Sequence, residues 1–271
     1  MTSPQPDDLP QADDFGAIAL QAAQAGAAAI ARVRGAGPLE PVFKSGSHDM
    51  VTAADRAAEQ AVVDTIRAVR PDDPILGEEG GSRVGTTDVQ WVVDPLDGTA
   101  NFVYGRADYA VSVGVRVGGV PVAGAIVRPD HGQWVRGGPD GVAAGRDGEP
   151  GAPSASLDRP GIELSTALVA ICLPYDLAAR RRVLAVAADL AERVRAIRVM
   201  GSAAGDLAGV VLGQCDAVLG FGLAEWDVAA GEAIVRAAGG SVRRLDSTAG
   251  LPVLISGPPS LVDALAGAIG Q

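Results

Sequence analysis

The chain is poor in cysteine, with only Cys172 and Cys215 among its 271 residues. Both stand in apolar surroundings, "VAICLPY" and "GQCDAVL", which reads as buried thiols of a reducing cytosol and argues against a disulfide framework. Basic residues are also short: 22 Lys and Arg face 33 Asp and Glu, for a net charge of −11 with no dense basic tract. Neither a nucleic acid nor an anionic membrane surface is therefore an expected partner. No uncharged run reaches the ~20 residues of a membrane span. The acidic start "MTSPQPDDLPQADDF" lacks the basic region and apolar run of a signal peptide, so a cytoplasmic location is expected. Internal repeats are missing, as is low-complexity sequence beyond a richness in alanine.

What is present can fill a core. Hydrophobic residues make up 48% of a chain long enough for one large domain or two closely packed halves. An alanine-rich helix is expected over Phe15 to Val33. A second follows Thr52, where Asp55 completes the pattern of a capping box, and Pro71 ends it. "DPILGEEGG" reads as a short strand entering an acidic glycine turn, and "VQWVVDP" as another strand. β-Branched residues from Asp108 to Arg128 predict a hairpin around Gly118-Gly119. Glycine, proline and polar residues from Gly137 to Pro160 mark the expected internal boundary, between an N-terminal half (1–145) and a C-terminal half (146–271) of one compact unit. Beyond it come a strand at "STALVAICL", a helix from Tyr175 to Arg195, a turn, helix and strand, a helix from Trp226 to the Gly239-Gly240 cap, and a terminal strand and helix. The alternation predicts α/β (α+β) architecture with mixed sheets.

Five acids, Glu78, Glu79, Asp94, Asp97 and Asp227, fall at expected strand ends or helix starts, where a fold can gather side chains in a cleft. Crowded carboxylates drive one another toward protonation unless cations lie between them. Hard divalent ions with oxygen ligands relieve the conflict, and Mg²⁺ suits a site whose shell a phosphate completes. In "DPLDGT", Pro95 can hold a turn that aims Asp94 and Asp97 at one point, with the Leu96 carbonyl turned outward. Gly98 and Thr99 then offer backbone amides to an anion. The combination points to metal-assisted hydrolysis of a phosphate ester. Each acid also has a plainer role: Asp55 as a cap, Asp227 as a helix-dipole partner, Glu78-Glu79 as a solvated loop, "DPLDGT" as an Asx turn.

The ordered set "DMVTAAD", "GEEG", "WVVDPLDGTANF" and "EWDVAAGEAIVRAAGG", spread from about Lys44 to Gly240, resembles the inositol monophosphatase family of Mg²⁺-dependent, lithium-sensitive phosphatases. The resemblance implies a layered αβαβα sandwich and a homodimer. It implies two to three Mg²⁺ ions, with Li⁺ inhibitory: one on Glu78, Asp94 and the Leu96 carbonyl, a second on Asp94, Asp97 and Asp227, a weaker third near Glu78. Thr99, paired with Asp55, would orient and help deprotonate a water for in-line attack on phosphorus. Glu78 joins them among the catalytic residues. Asp97, Gly98, Thr99, Gly201, Ser202, Ala203, Asp227 and Lys44 would meet the substrate.

The asparagine of "DGTANF" favours the inositol monophosphatase branch, so myo-inositol 1-phosphate is the first expected substrate. Against it, the family's inositol enzymes commonly place a glutamate seven residues before the last metal aspartate. Here that position is Gly220, leaving Glu225 as the residue to compensate. Losing a buried partner for a hydroxyl weakens polyol selectivity. Histidinol phosphate, sugar phosphates and 3′-phosphoadenosine 5′-phosphate remain alternative substrates, and a non-catalytic metal-binding regulator an alternative role.

Overall fold

A computed structural model describes residues 14–36, 42–43, 50–149, 151–153, 156–157 and 162–270. The chain opens with helix α1 (Phe15–Gly35), the short strands β1 (Val42–Phe43) and β2 (Met50–Val51), and helix α2 (Ala53–Val69). Strands β3 (Ile75–Gly77), β4 (Gly81–Arg83) and β5 (Val89–Asp97) follow, then a short helix α3 (Thr99–Val103). The meander β6 (Ala110–Val117), β7 (Val120–Arg128), β8 (Gln133–Gly138), β9 (Gly141–Arg146) and β10 (Ala152–Pro153) comes next. The remainder is β11 (Leu168–Cys172), α4 (Leu177–Ala191), β12 (Ala196–Arg198), α5 (Ala203–Val211), β13 (Ala217–Phe221), α6 (Glu225–Ala237), β14 (Ser241–Asp246), β15 (Pro252–Gly257) and α7 (Pro259–Ile269).

These elements stack in five layers. An eight-stranded sheet, ordered β10-β9-β8-β7-β6-β5-β3-β4, is antiparallel except where β3 lies parallel to β5. A five-stranded sheet, ordered β12-β11-β13-β15-β14, is parallel across β12, β11 and β13. One hydrophobic core joins α1 and α2 to the large sheet, a second seats α5 and α6 between the sheets, and a third covers the outer face of the small sheet with α4 and α7. The architecture is thus the expected αβαβα sandwich. No helix of the described residues is long and apolar enough to cross a membrane.

Small residues set the layer spacing. A Cβ on Gly26 of α1 would sit 2.9 Å from Val62 of α2 and 3.1 Å from Val111 of β6, so only glycine lets the helix lie in that groove. On the opposite face of the sheet, Gly114, Gly124 and Gly137 stand directly across from one another on β6, β7 and β8. A Cβ there would come within 2.7 Å of Ala230 N, 2.6 Å of Ala230 Cα and 3.0 Å of Ile234 Cα respectively. This glycine stripe is the bed of α6. It also corrects the sequence expectation for Gly137 to Pro160, whose first ten residues include the end of β8 and all of β9. Gly137 serves a close helix contact rather than a linker.

Candidate active site

Strand β5 does not stop at "WVV" but runs on through Asp97. Asp94 faces Ser112 of β6 and Asp97 faces Ala110, so Pro95 and Leu96 together oppose one residue in a bulge. The parity matters. Acids three apart on a regular strand point to opposite faces, and one extra residue restores the alternation. A bulge also accommodates a proline inside a sheet, since its missing N–H breaks no ladder bond there.

Helix α6, seated on the glycine stripe, delivers Asp227 to the same place. Ligand oxygens of Asp94, Asp97 and Asp227 lie within 4.8 Å of one another. Glu78 follows β3, and its N–H donates to the Val93 carbonyl at 3.1 Å, which sets it beside Asp94. One oxygen of each cluster acid is fixed. Asp94 Oδ1 accepts from Leu96 N at 3.1 Å, Asp227 Oδ2 from Ala224 N at 2.7 Å, and Asp97 Oδ2 from the Ser202 hydroxyl at 2.7 Å and Ala204 N at 2.6 Å. An ionised carboxylate offers about four lone-pair sites, so each keeps acceptor capacity.

Burial is the main reason these acids resist ionisation. It lifts Asp94, 2% exposed, well above the usual carboxylate range, with the charges of Glu78, Asp97 and Asp227 adding to it. Burial raises Asp97 to about 6 against the hydrogen bonds from Ser202 and Ala204, and with Asp97's charge it raises Asp227 to about 7. A donor set of hard oxygens short of compensating charge fits a divalent cation such as Mg²⁺. A pH dependence follows. Between about pH 4 and 7 the native protein keeps protons that the unfolded chain has released, so metal-free stability falls as pH rises through that window. At fixed Mg²⁺, thermal melts should therefore show a larger cation-induced rise at pH 8 than at pH 6. An equal or smaller rise at pH 8 would count against proton displacement from these acids.

Asp55 both caps α2 and meets the Thr99 hydroxyl. Its Oδ2 accepts from Thr52 N and the Thr52 hydroxyl, each at 2.7 Å, closing the capping box of α2, while Oδ1 accepts from the Thr99 hydroxyl at 3.0 Å. Burial raises its pKa against those bonds. The Leu96 carbonyl lies 3.1 Å from the same Thr99 hydroxyl, whose single proton serves one acceptor at a time.

Gly98 (φ +93°) and Gly201 (φ +88°) adopt left-handed backbone that favours glycine, and a Cβ on Gly98 would lie 3.1 Å from the Gly201 carbonyl. Asn101 joins their loops, its Nδ2 donating to the carbonyls of Asp108 and Met200, both at 2.7 Å. The turn Gly201–Ala203 thus stands against the "DGTANF" loop, with the Ser202 hydroxyl committed to Asp97. Lys44 lies outside the described residues.

Glu225, the residue expected to compensate for Gly220, is engaged in ion pairs within the protein. Its carboxylate pairs with Arg116 on β6 and, at 3.5 Å, with Arg244 on β14. Sequence reasoning also missed Glu59. From α2 its Oε2 accepts the amides of Glu79 (2.8 Å) and Gly80 (3.1 Å), pinning the turn that carries Glu78. A Cβ on Gly77 would fall 2.6 Å from that oxygen, which accounts for a glycine of "GEEG". The signal was present: Glu59 stands four residues after Asp55, on the same helix face. Buried Asp206 was missed too. It lies near both free cysteines, with Cys172 Sγ 3.7 Å from its Oδ2 and Cys215 Sγ 3.6 Å from its carbonyl.

A carboxylate cluster of buried Asp94 with half-buried Asp97 and Asp227, set in a five-layer αβαβα sandwich, is the arrangement of a phosphatase-type fold. The family model for the inositol monophosphatase family matches residues 11–265, and the chain belongs to that family. It is 38% identical over 234 residues to the inositol-1-monophosphatase SuhB of Mycobacterium tuberculosis, covering 83% of this chain and 80% of that protein. It is 35% identical over 241 residues to the Nus factor SuhB of Escherichia coli, covering 89% and 88%. The crystal structure of the suppressor protein suhB from Bartonella henselae superposes with a TM-score of 0.81 at 29% identity, covering 93% of this chain and 96% of that one.

Proposed function

We propose that the chain is a Mg²⁺-dependent phosphomonoesterase acting on small alcohol phosphates. Myo-inositol 1-phosphate is the reference substrate, after the name of the mycobacterial relative. The observation that carries this reading is the convergence of Asp94, Asp97 and Asp227 within 4.8 Å beside the hydrogen-bonded Thr99–Asp55 pair. Glu78, Asp94, the Leu96 carbonyl, Asp97 and Asp227 would hold the two to three ions. When bound, the ions supply positive charge to the phosphate oxygens and lower the pKa of water at the site.

The chain's own groups do the rest. Thr99, donating to Asp55, presents its lone pairs to the attacking water, and Asp55, raised by burial, holds the proton. The Ser202 and Ala204 bonds fix Asp97, and the Ala224 bond fixes Asp227, so the acids need little reorganisation as the ester reacts. Gly98 and Thr99 would offer their backbone amides to the phosphate, and Lys44 would add positive charge to it. A homodimer in a reducing cytoplasm completes the reading; the free thiols of Cys172 and Cys215 agree with the reducing setting.

A panel of phosphate esters assayed with and without Mg²⁺, and with Li⁺ added, tests it. Phosphate release that requires Mg²⁺ and falls with Li⁺ is the expected outcome. Release from no ester, or release indifferent to Mg²⁺, would overturn the proposal.

A further inference from the structure

Glu78 differs from the other expected cation ligands in how the fold holds it. Asp94 and Asp97 lie on β5, which has β3 on one side and β6 on the other, and Asp227 lies on α6, seated on the glycine stripe. Glu78 instead opens the turn between β3 and β4, two strands of three residues each, of which β4 is the edge of the large sheet. Gly77 with Val93 is the last pair that β3 makes with β5, and the bond from Glu78 N–H to the Val93 carbonyl sets the Glu78 backbone beside Asp94. A hairpin of such short strands is marginal by itself, so the place of its turn depends on what the turn rests upon.

It rests on Glu59. This carboxylate reaches up from α2, only 3% exposed, into the space beneath the turn. Its Oε2 accepts the N–H groups of Glu79 and Gly80, the two residues that follow Glu78, and its Oε1 accepts from Arg83 Nη2 of β4 at 3.0 Å. One carboxylate thereby joins the turn to the strand that leaves it. The fit has no room for a side chain on the turn: a Cβ on Gly80 would run into Glu59 Oε1 and lie 2.6 Å from Arg83 Nη2.

Glu59 stands one helical turn after Asp55, on the same face of α2. Asp55 accepts the Thr99 hydroxyl while Glu59 accepts the amides behind Glu78. A single helix therefore fixes the spacing between the group that would face the attacking water and a ligand of the cation.

Resting on the phosphomonoesterase reading, we infer that Glu59 is a positioning residue of the cation site: the reach of its side chain to the Glu79 and Gly80 amides holds Glu78 against Asp94 and so sets the affinity for Mg²⁺. Loss of a group that holds a metal ligand from behind costs about 10–100-fold in affinity or activity.

Two substitutions separate reach from charge. Glu59→Asp keeps the charge on α2 but is one methylene short of the amides. Glu59→Gln keeps the length, and its carbonyl can accept both amides at the expense of the Arg83 pair. Titration calorimetry with Mg²⁺ on the substrate-free protein should show Glu59→Asp binding about tenfold or more weakly, and Glu59→Gln close to the wild type. The Mg²⁺ concentration for half-maximal phosphate release should follow the same order, with kcat largely restored in Glu59→Asp at saturating Mg²⁺. In a Glu78→Gln background, Glu59→Asp should weaken binding little further, because its effect passes through Glu78. A merely structural role would lower melting temperatures without producing this order in affinity. Gly80→Ala pushes on the same carboxylate from the turn side and should also weaken binding, which keeps the inference testable if Glu59→Asp folds poorly. Wild-type affinity in Glu59→Asp, or in Gly80→Ala where the aspartate variant is unfolded, would overturn the inference and leave the phosphomonoesterase reading intact. Glu59→Gln as weak as Glu59→Asp would do the same. A wild type that neither binds Mg²⁺ nor releases phosphate would instead remove that reading, and the inference with it.

Discussion

Asp94→Asn should abolish Mg²⁺-dependent phosphate release and, at the same time, raise the melting temperature of the metal-free protein. The two effects have one cause. Asp94 is buried among Glu78, Asp97 and Asp227, and burial with those charges opposes its ionisation. The amide keeps an oxygen for the Leu96 N–H but carries no charge, so the repulsion disappears and so does a cation ligand. Losing several kcal/mol of charge stabilisation in the transition state corresponds to a rate lower by on the order of a thousandfold or more. Relief worth about 1 kcal/mol would raise the melt by roughly 2–4 °C in a chain of this size. The kinetic and thermal readouts can fail separately. Surviving activity would remove Asp94 from the cation site, and a lower melt would contradict the repulsion.

Gly124→Val is expected to cost more stability than any surface change, and to weaken cation binding with it. A Cβ at Gly124 would lie 2.6 Å from Ala230 Cα and 3.1 Å from its carbonyl oxygen, backbone atoms of α6 that cannot rotate away. The helix must lift, which costs about 3 kcal/mol or more. Asp227 sits three residues earlier on that helix, so lifting it moves a carboxylate away from Asp94 and Asp97. Gly119→Ala provides the contrast. Its φ of +82° strains any side chain, yet nothing lies within 4 Å of the added carbon. That variant should lose about 1–2 kcal/mol in the melt and keep its Mg²⁺ affinity by titration calorimetry. Equal affinity in Gly124→Val and the wild type would show that the stripe does not position Asp227.

Local signals in the sequence carried far. Thr52 and Asp55 spell a capping box that forms as read, Gly118-Gly119 turns the β6–β7 hairpin, and the "WVVDPLDGTANF" and "EWDVAAG" motifs lead to the acid cluster. What stayed illegible depends on partners distant in the chain. The bulge at Pro95–Leu96 is visible only against β6, so the sequence suggested a turn beyond the strand where the structure has a strand carrying both acids. Gly137 looks like any loop glycine until α6 lies on it. Nothing local to Ser202 shows that Asp97, 105 residues away, accepts its hydroxyl proton. Glu225 looked available for a hydroxyl until the fold brought Arg116 and Arg244 to it.

The span of the Asp97 bonds bears on how the molecule is made. Its two donors, Ser202 and Ala204, lie 105 and 107 residues along the chain, and closing so long a loop is slow relative to the hairpins and helices that form locally. Asp227 can join Asp94 and Asp97 of β5 only once α6 has docked on the large sheet. Interactions absent from the folding transition state alter the unfolding rate and leave the folding rate almost untouched. In a chevron measured with and without Mg²⁺, the unfolding limb should drop while the refolding limb stays in place. The cation then acts as a latch on the finished molecule, lengthening its lifetime without guiding its assembly.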